Sequence, residues 1–190
     1  MIRIAMVGGI GSGKSHIAKQ FGYPVFSADE EVAKLYKKNR KIYNKLKKTL
    51  PNDITSFPIK KKELLQAIIS NKYNIKKIIK IIHPEIKIKM IHFIKKNKKK
   101  KLIVLDIPLL IENKINKKND ILVFVAAKKK EVEKRLKNRP NFNIKILNKF
   151  KKIQLSLEIK KRKSHFIIKN NFNNNYVKKS VKKILEKILL

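Results

Sequence analysis

The chain contains no cysteine and no tryptophan among its 190 residues. Without cysteine, disulfide cross-links, thiolate metal sites and thiol nucleophiles are excluded. No apolar run approaches the roughly 18 residues of a membrane-spanning helix, since the longest, 102–111, is interrupted by Asp106 and Pro108. The apolar run 4–10 leads into a glycine-rich segment with no cleavage-type pattern, so it does not read as an export signal. These absences predict a cytoplasmic protein with no membrane contact.

Acidic residues are scarce, because 13 Asp and Glu stand against 50 Lys and Arg, for a net charge of +37. The chain still holds 66 Leu, Ile, Val and Phe residues, a share far above that of disordered chains. Only 5 of the basic residues are arginine, whereas nucleic-acid surfaces normally use arginine forks and interleaved aromatic rings. The lysine excess has two interpretations: compositional drift at solvent-exposed positions, or attraction of polyanions.

Short apolar runs alternate with helical periodicity along the chain. The runs typical of strands buried on both faces span 2–7, 25–26, 102–105, 121–125 and 166–168. Alternation of this kind favours a parallel sheet with right-handed crossovers. Between 30 and 98 the pattern is helical, and Pro84 is expected to open a new helix there. Ile146 to about Lys163 is expected to form one helix. The sequence thus predicts an α/β fold, a five-stranded parallel sheet flanked by helices, with an inserted helical block.

Glycine is rare, and all 5 glycines lie at or before Gly22. Residues 8–15, Gly-Gly-Ile-Gly-Ser-Gly-Lys-Ser, satisfy the phosphate-binding pattern G-x-x-x-x-G-K-S/T between a buried strand and a helix. Such a loop turns its backbone N–H groups toward phosphate oxygens, which requires glycine conformations. We expect Lys14 to span the β- and γ-phosphates of a bound triphosphate, and Ser15 to hold the Mg²⁺ that bridges them.

Two of the chain's 4 aspartates follow predicted strands, at the edge where parallel sheets bind ligands. A kinase acting on an alcohol needs a carboxylate to take the hydroxyl proton, and Asp29 is the candidate base. Asp29 is also suited to capping a helix that begins near Glu30. Asp106 ends the third strand at a Walker-B-like position, where it can hold Mg²⁺ or make a strand-end hydrogen bond.

Several landmarks occur in order along the chain. Residues 26–29 read Phe-Ser-Ala-Asp, 83–84 read His-Pro, and 106–112 read Asp-Ile-Pro-Leu-Leu-Ile-Glu. Arg135, Arg139, Gln154 and Asn170 follow. Over residues 1–172 this order, together with the form of the glycine loop, resembles the dephospho-coenzyme A kinase family. Ser27 departs from it, since the family has an aspartate there.

The resemblance implies a P-loop nucleoside-triphosphate-binding fold and ATP-dependent phosphorylation of the ribose 3′-hydroxyl of dephospho-CoA, the last step of coenzyme A synthesis. It implies a nucleotide-binding core of residues 1–29, 99–138 and 164–190. Residues 30–98 then form a helical substrate-binding subdomain, and 139–163 form a small lid with the helix that follows it.

The resemblance also implies residue roles, with Asp29 and Lys14 catalytic. The residues expected to contact ATP are Gly8, Gly9, Gly11, Ser12, Gly13, Lys14, Ser15, His16, Arg139 of the lid, and Asn170. The residues expected to contact the acceptor are Asp29, His83, Pro108, Leu109, Leu110 and Glu112. From the residues alone, His83 could equally cap a helix or lie half-buried beside Pro84, and Asn170 could simply cap a turn.

Two other functions stay open on the sequence. One is a P-loop kinase of another small alcohol or of a nucleotide, of the shikimate or nucleoside monophosphate type. The other is a basic, RNA-associated P-loop protein. The leading expectation is a monomeric dephospho-CoA kinase that uses ATP and Mg²⁺, acts on a small molecule and requires no nucleic acid.

Overall fold

A computed structural model describes residues 1–138 and 142–190. A five-stranded parallel sheet has the strand order β2-β3-β1-β4-β5. The strands are β1 (Ile2–Gly8), β2 (Val25–Ser27), β3 (Leu102–Asp106), β4 (Ile121–Ala127) and β5 (Phe166–Asn170). Each contains the apolar run that predicted it, so the five-stranded parallel sheet is confirmed.

Helices follow every strand except β3, which residues 107–120 connect to β4 without a helix. The helices are α1 (Lys14–Gln20), α2 (Ala28–Lys38), α3 (Arg40–Thr49), α4 (Lys61–Ser70), α5 (Asn74–Lys96), α6 (Lys129–Lys137), α7 (Ile144–Lys152), α8 (Leu157–Arg162) and α9 (Asn174–Leu189). None of the helices in the described part of the chain is long and apolar enough to cross a membrane. The chain divides into a sheet unit, residues 1–27, 97–143 and 150–190, and a helical unit, residues 28–96 and 144–149.

The sheet unit is held together by a core of aliphatic side chains. Strand residues at alternating positions, such as Ile4, Met6 and Val123, are buried together with Ile17 of α1 and Val181 of α9. Each such side chain contributes about 1.5–3 kcal/mol when fully buried. The apolar residues of α9 recur at helical spacing, so α9 presents one face to this core.

The helical unit contains an unexpected continuous helix. Pro84 was expected to open a helix, but it lies inside the 23-residue helix α5. A proline inside a helix removes a backbone hydrogen bond and costs about 3 kcal/mol. Ile75, Ile78, Ile82 and Ile86 are all buried, so the apolar stripe continues through the proline and offsets this cost.

A second departure concerns residues 146–163, which were expected to form one helix. The structure instead has α7 and α8, separated by residues 153–156. The Ser156 hydroxyl accepts a hydrogen bond from the Ile159 backbone N–H and so begins a new helix. The apolar spacing suggested a single helix because it continues in register across this break.

Candidate active site

The ends of the strands gather candidate residues at one edge of the sheet. Ser27 ends β2 and pairs in register with Asp106, which ends β3 and is 4% exposed. Gly8 ends β1, and Asn170 ends β5. Because parallel strands finish at the same edge, these residues border the crevice where such sheets bind ligands.

Asn170 closes the glycine loop from the side of β5. Its Nδ2 donates to the Ser12 carbonyl oxygen over 2.7 Å, and its Oδ1 accepts from the Phe172 backbone N–H over 2.9 Å. Gly13 lies directly against this amide, with φ 92°, and a Cβ atom there would stand 2.3 Å from Asn170 Nδ2. Only glycine therefore fits at position 13. The prediction that Asn170 caps a turn is confirmed, because its Oδ1 accepts from Phe172. The same side chain connects this turn to the phosphate loop through Ser12.

Replacing Gly13 by alanine is expected to weaken ATP binding by at least about 100-fold, because the new methyl group must displace Asn170 and open the loop. Gly22→Ala is the matched control. Gly22 has φ 72°, yet nothing lies within 4 Å of its missing Cβ. We expect the control to lose stability through backbone strain alone, about 1–2 kcal/mol, with its ATP dissociation constant unchanged. Equal ATP affinities in the two variants would contradict the role of Asn170 in shaping the loop.

Lys14, the first residue of α1, folds back over the loop. Its Nζ donates to the carbonyl oxygens of Gly8 and Gly9 over 3.3 and 2.8 Å. Ser12 is 4% exposed, and its hydroxyl has no hydrogen-bond partner among the described residues. A buried hydroxyl without a partner costs about 1–3 kcal/mol. A cation and an unsatisfied donor thus border the same loop, as an anionic ligand requires.

The outer side of the loop is covered by other helices. A Cβ atom at Gly11 would stand 3.0 Å from Val132 and Leu136 of α6, and one at Gly9 would stand 3.3 Å from Leu157 of α8. This packing leaves the loop little room to move. On the neighbouring surface, the Arg135 guanidinium stacks over the Phe172 ring with 4.4 Å to its centroid.

The turn 107–112 forms a second wall of the cleft that Gly8 and Lys14 line. Leu109 has φ 59°, a left-handed conformation that costs a branched side chain energy, while Leu110 is buried. Glu112 forms an ion pair with Lys160 Nζ over 2.7 Å, and the same oxygen accepts from the Leu155 backbone N–H over 3.0 Å. The turn is therefore held in a conformation that its own sequence does not favour. Sequence reasoning missed Lys160, since nothing local marks a lysine as buried.

The remaining predicted residues are placed as follows. Asp29 lies in the first turn of α2, which begins one residue before it, so the expectation that Asp29 caps this helix is wrong. His83 lies inside α5 and caps no helix. The exposed His16 ring lies 2.9 Å from Asn174 Oδ1, and its contact with ATP stays a prediction. Arg139 falls outside the described residues.

Half-burial of His83 lowers the pKa of its imidazole below the ordinary value of 6.5, because burial disfavours the charged form. The unfolded chain therefore binds the proton more readily than the folded chain. We expect stability that is present above pH 6.5 to be lost as the pH falls through the folded-state pKa. Urea denaturation at several pH values should show this loss, and His83→Gln should reduce it. If the free energy of unfolding fell with pH by the same amount in both proteins, the burial of His83 would be contradicted.

The sheet order and the glycine loop between β1 and α1 define a P-loop nucleoside-triphosphate-binding protein. The model of the dephospho-CoA kinase family matches residues 2–175. The chain belongs to the dephospho-CoA kinase family, and is a transferase of the kinase type, as the resemblance predicted.

Individual relatives agree with this assignment. The chain is 35% identical to the dephospho-CoA kinase of Wolbachia pipientis wMel and 33% identical to that of Fusobacterium nucleatum, over at least 97% of each chain. Among solved structures, it is similar to TT1252 from Thermus thermophilus, with TM-score 0.80 and 23% identity over 100% of this chain and 98% of the other. Dephospho-CoA kinase from Campylobacter jejuni has TM-score 0.64 and 23% identity, over 98% and 96%. At 23% identity, these two similarities show a shared fold alone.

The two alternative functions are not favoured. Shikimate kinase from Bacteroides thetaiotaomicron is similar with TM-score 0.50 and 11% identity, over 100% of this chain and 99% of the other, which shows a shared fold alone. The family match and the curated relatives both point to dephospho-CoA kinase, and neither points to a shikimate-type kinase or to an RNA-associated protein.

Proposed function

We propose that this protein transfers the terminal phosphoryl group of ATP to the ribose 3′-hydroxyl of dephospho-CoA, which yields coenzyme A and ADP. One observation carries the proposal: within the sheet unit, Gly8 and Lys14, at the two ends of the glycine loop, line the same small cleft as the turn 107–112. The loop suits the phosphates of the donor, and the turn suits the acceptor. Holding both groups in one geometry removes much of the entropic barrier to transfer.

Lys14 and the loop bind the phosphates of ATP in this scheme. Lys14 Nζ exchanges the carbonyl oxygens of Gly8 and Gly9 for phosphate oxygens, which bind an ammonium group more strongly because they carry full charge. The Ser12 hydroxyl, which lacks a partner among the described residues, supplies a further donor. Asn170 contributes by holding the Ser12 carbonyl group, and so fixes the loop from behind.

The donor set at this edge fits Mg²⁺. Ser15 and Asp106 supply hydroxyl and carboxylate oxygens, and Mg²⁺ is commonly held by one or two carboxylates together with substrate phosphates. The described residues contain no group of three or more His, Cys, Asp or Glu side chains that could hold a metal by themselves. This suits an ion that arrives with the nucleotide. When bound, Mg²⁺ neutralises charge on the phosphate oxygens.

Asp29 acts as the general base. Ser27 ends β2 beside Asp106, and Asp29 follows two residues later, a distance of at most about 7 Å along the chain. Its carboxylate accepts the proton of the 3′-hydroxyl as that oxygen attacks phosphorus in line with the leaving ADP. Asp29 is exposed in the first turn of α2.

The turn 107–112 supplies the acceptor contacts of the sheet unit. Pro108, Leu109 and Leu110 supply apolar surface, and Glu112 fixes the end of the turn. His83, half-buried and neutral above its lowered pKa, offers a hydrogen bond to the acceptor. Residues 139–163, which include α7 and α8, contain the proposed lid. Arg139 there carries a guanidinium fork suited to phosphate.

We expect the protein to act as a monomer in the cytoplasm. Sedimentation at increasing protein concentration tests the monomeric state, and a single species at the monomer mass is expected. A dimer that alone is active would contradict it.

A panel of acceptors tests the proposed function. Purified protein with ATP and Mg²⁺ is offered dephospho-CoA, shikimate and nucleoside monophosphates, and ADP release is followed. We expect release with dephospho-CoA only, and mass spectrometry should find coenzyme A as the product. Turnover with another acceptor, or none with dephospho-CoA while ATP still binds, would contradict the proposal. RNA binding without acceptor-dependent turnover would support the basic binding protein instead.

A further inference from the structure

A buried ion pair lies in the wall of the cleft, and the proposed mechanism gives no role to its cation. The Lys160 side chain is 3% exposed and that of Glu112 is 9% exposed. Lys160 Nζ reaches Glu112 Oε1 over 2.7 Å and donates to Gln154 Oε1 over 2.9 Å. A buried ammonium group costs several kcal/mol in lost hydration, which these two acceptors offset. Both acceptors lie within the protein, so Lys160 is already engaged before any ligand arrives.

The helix that carries Lys160 contacts both the phosphate loop and the turn 107–112. Leu157 and Lys160 are three residues apart on α8, and side chains at this spacing share a face of a helix. Leu157 lies against Gly9 of the phosphate loop, where a Cβ atom would stand 3.3 Å from its Cδ2. Lys160 holds Glu112 at the end of the turn 107–112. One short helix thus contacts both the loop and the turn.

We infer that Lys160 is a positioning residue, which holds the acceptor wall of the cleft at a fixed distance from the phosphate loop through Glu112. This inference rests on the proposed function, because it assigns donor and acceptor to these two walls. Phosphoryl transfer depends on in-line alignment, and a misplacement of about 1 Å can lower a rate by about 100-fold. Lys160 lines the same cleft as Lys14, yet its acceptors hold it to the protein rather than to the nucleotide.

The test compares Lys160→Met with Lys161→Met, which removes the same charge from an exposed neighbour on α8. We expect Lys160→Met to lower kcat/KM for dephospho-CoA by about 100-fold, with an ATP dissociation constant within about threefold of the original. Lys161→Met should match the original protein in both. Lys160→Arg, which keeps the charge, should recover part of the lost rate.

A double variant tests whether Lys160 and Glu112 act together. Lys160→Met alone leaves Glu112 without its cation and can unfold the chain, whereas Lys160→Met with Glu112→Gln leaves no buried charge. If the two residues act as a unit, the double variant should be no slower than either single variant. An ATP dissociation constant weakened by 10-fold or more would make Lys160 a phosphate ligand and overturn the inference, as would unchanged kinetics in folded Lys160→Met. Absence of activity in the original protein would instead overturn the proposed function.

Discussion

Asp29→Asn is expected to lower kcat by about 10²- to 10⁴-fold, the usual contribution of a general base. The amide keeps the size and shape of the side chain but cannot accept the hydroxyl proton. KM for ATP should change little, because the phosphates are held by the loop and Lys14, which belong to a different segment of the chain. Steady-state ADP release at saturating dephospho-CoA measures the effect.

Glu30→Gln is the matched control, since it removes the same charge from the next residue in the first turn of α2. Both side chains are exposed, so neither change should alter folding. We expect Glu30→Gln to keep near-normal turnover. Near-normal turnover in Asp29→Asn as well would remove Asp29 as the base, while equal losses in both variants would indicate a general effect of charge on α2.

Lys14→Met is expected to lower kcat/KM by about 10²- to 10³-fold, the size of effect seen when one preorganised charge-stabilising group is removed. Methionine has a similar length, so the packing of α1 should survive. Lys14 donates to the Gly8 and Gly9 carbonyl oxygens, and its loss removes the cation proposed to meet the phosphates. The measurement is the rate at limiting ATP together with the ATP dissociation constant.

Lys19→Met provides the control, because Lys19 is an exposed residue in the last turn of the same helix. In a chain of net charge +37, loss of one lysine from the surface should change long-range attraction of ATP only slightly. We expect Lys19→Met to behave as the original protein. A similar loss of rate in both variants would mean that diffuse charge, rather than the loop lysine, binds the nucleotide.

The strands and the phosphate loop could be predicted because their signals are local. The apolar run 102–105 is too short for a helix, and the glycines between Gly8 and Gly13 occur where the backbone must turn tightly. Asp106 could be predicted as a site residue because it directly follows this apolar run. These features require no knowledge of which segments meet in space.

The features that sequence reasoning missed depend on contacts between distant segments. Asn170 and Ser12 are 158 positions apart, and their hydrogen bond requires β5 to end beside the loop. Glu112 pairs with Lys160 of α8, a separate helix that begins after the cap formed by Ser156. Pro84 stays inside α5 because buried isoleucines on both sides outweigh the lost hydrogen bond. Each outcome reflects tertiary packing that overrides a local preference.

A crystal structure with a non-hydrolysable ATP analogue and dephospho-CoA would show whether Asp29 faces the reacting hydroxyl group. We expect the γ-phosphorus to lie within about 3.5 Å of the ribose 3′-oxygen. A carboxylate oxygen of Asp29 should lie within about 3.2 Å of the same oxygen, or reach it through one water. A complex in which both ligands are bound but Asp29 points away from the acceptor, beyond the reach of a bridging water, would contradict the account.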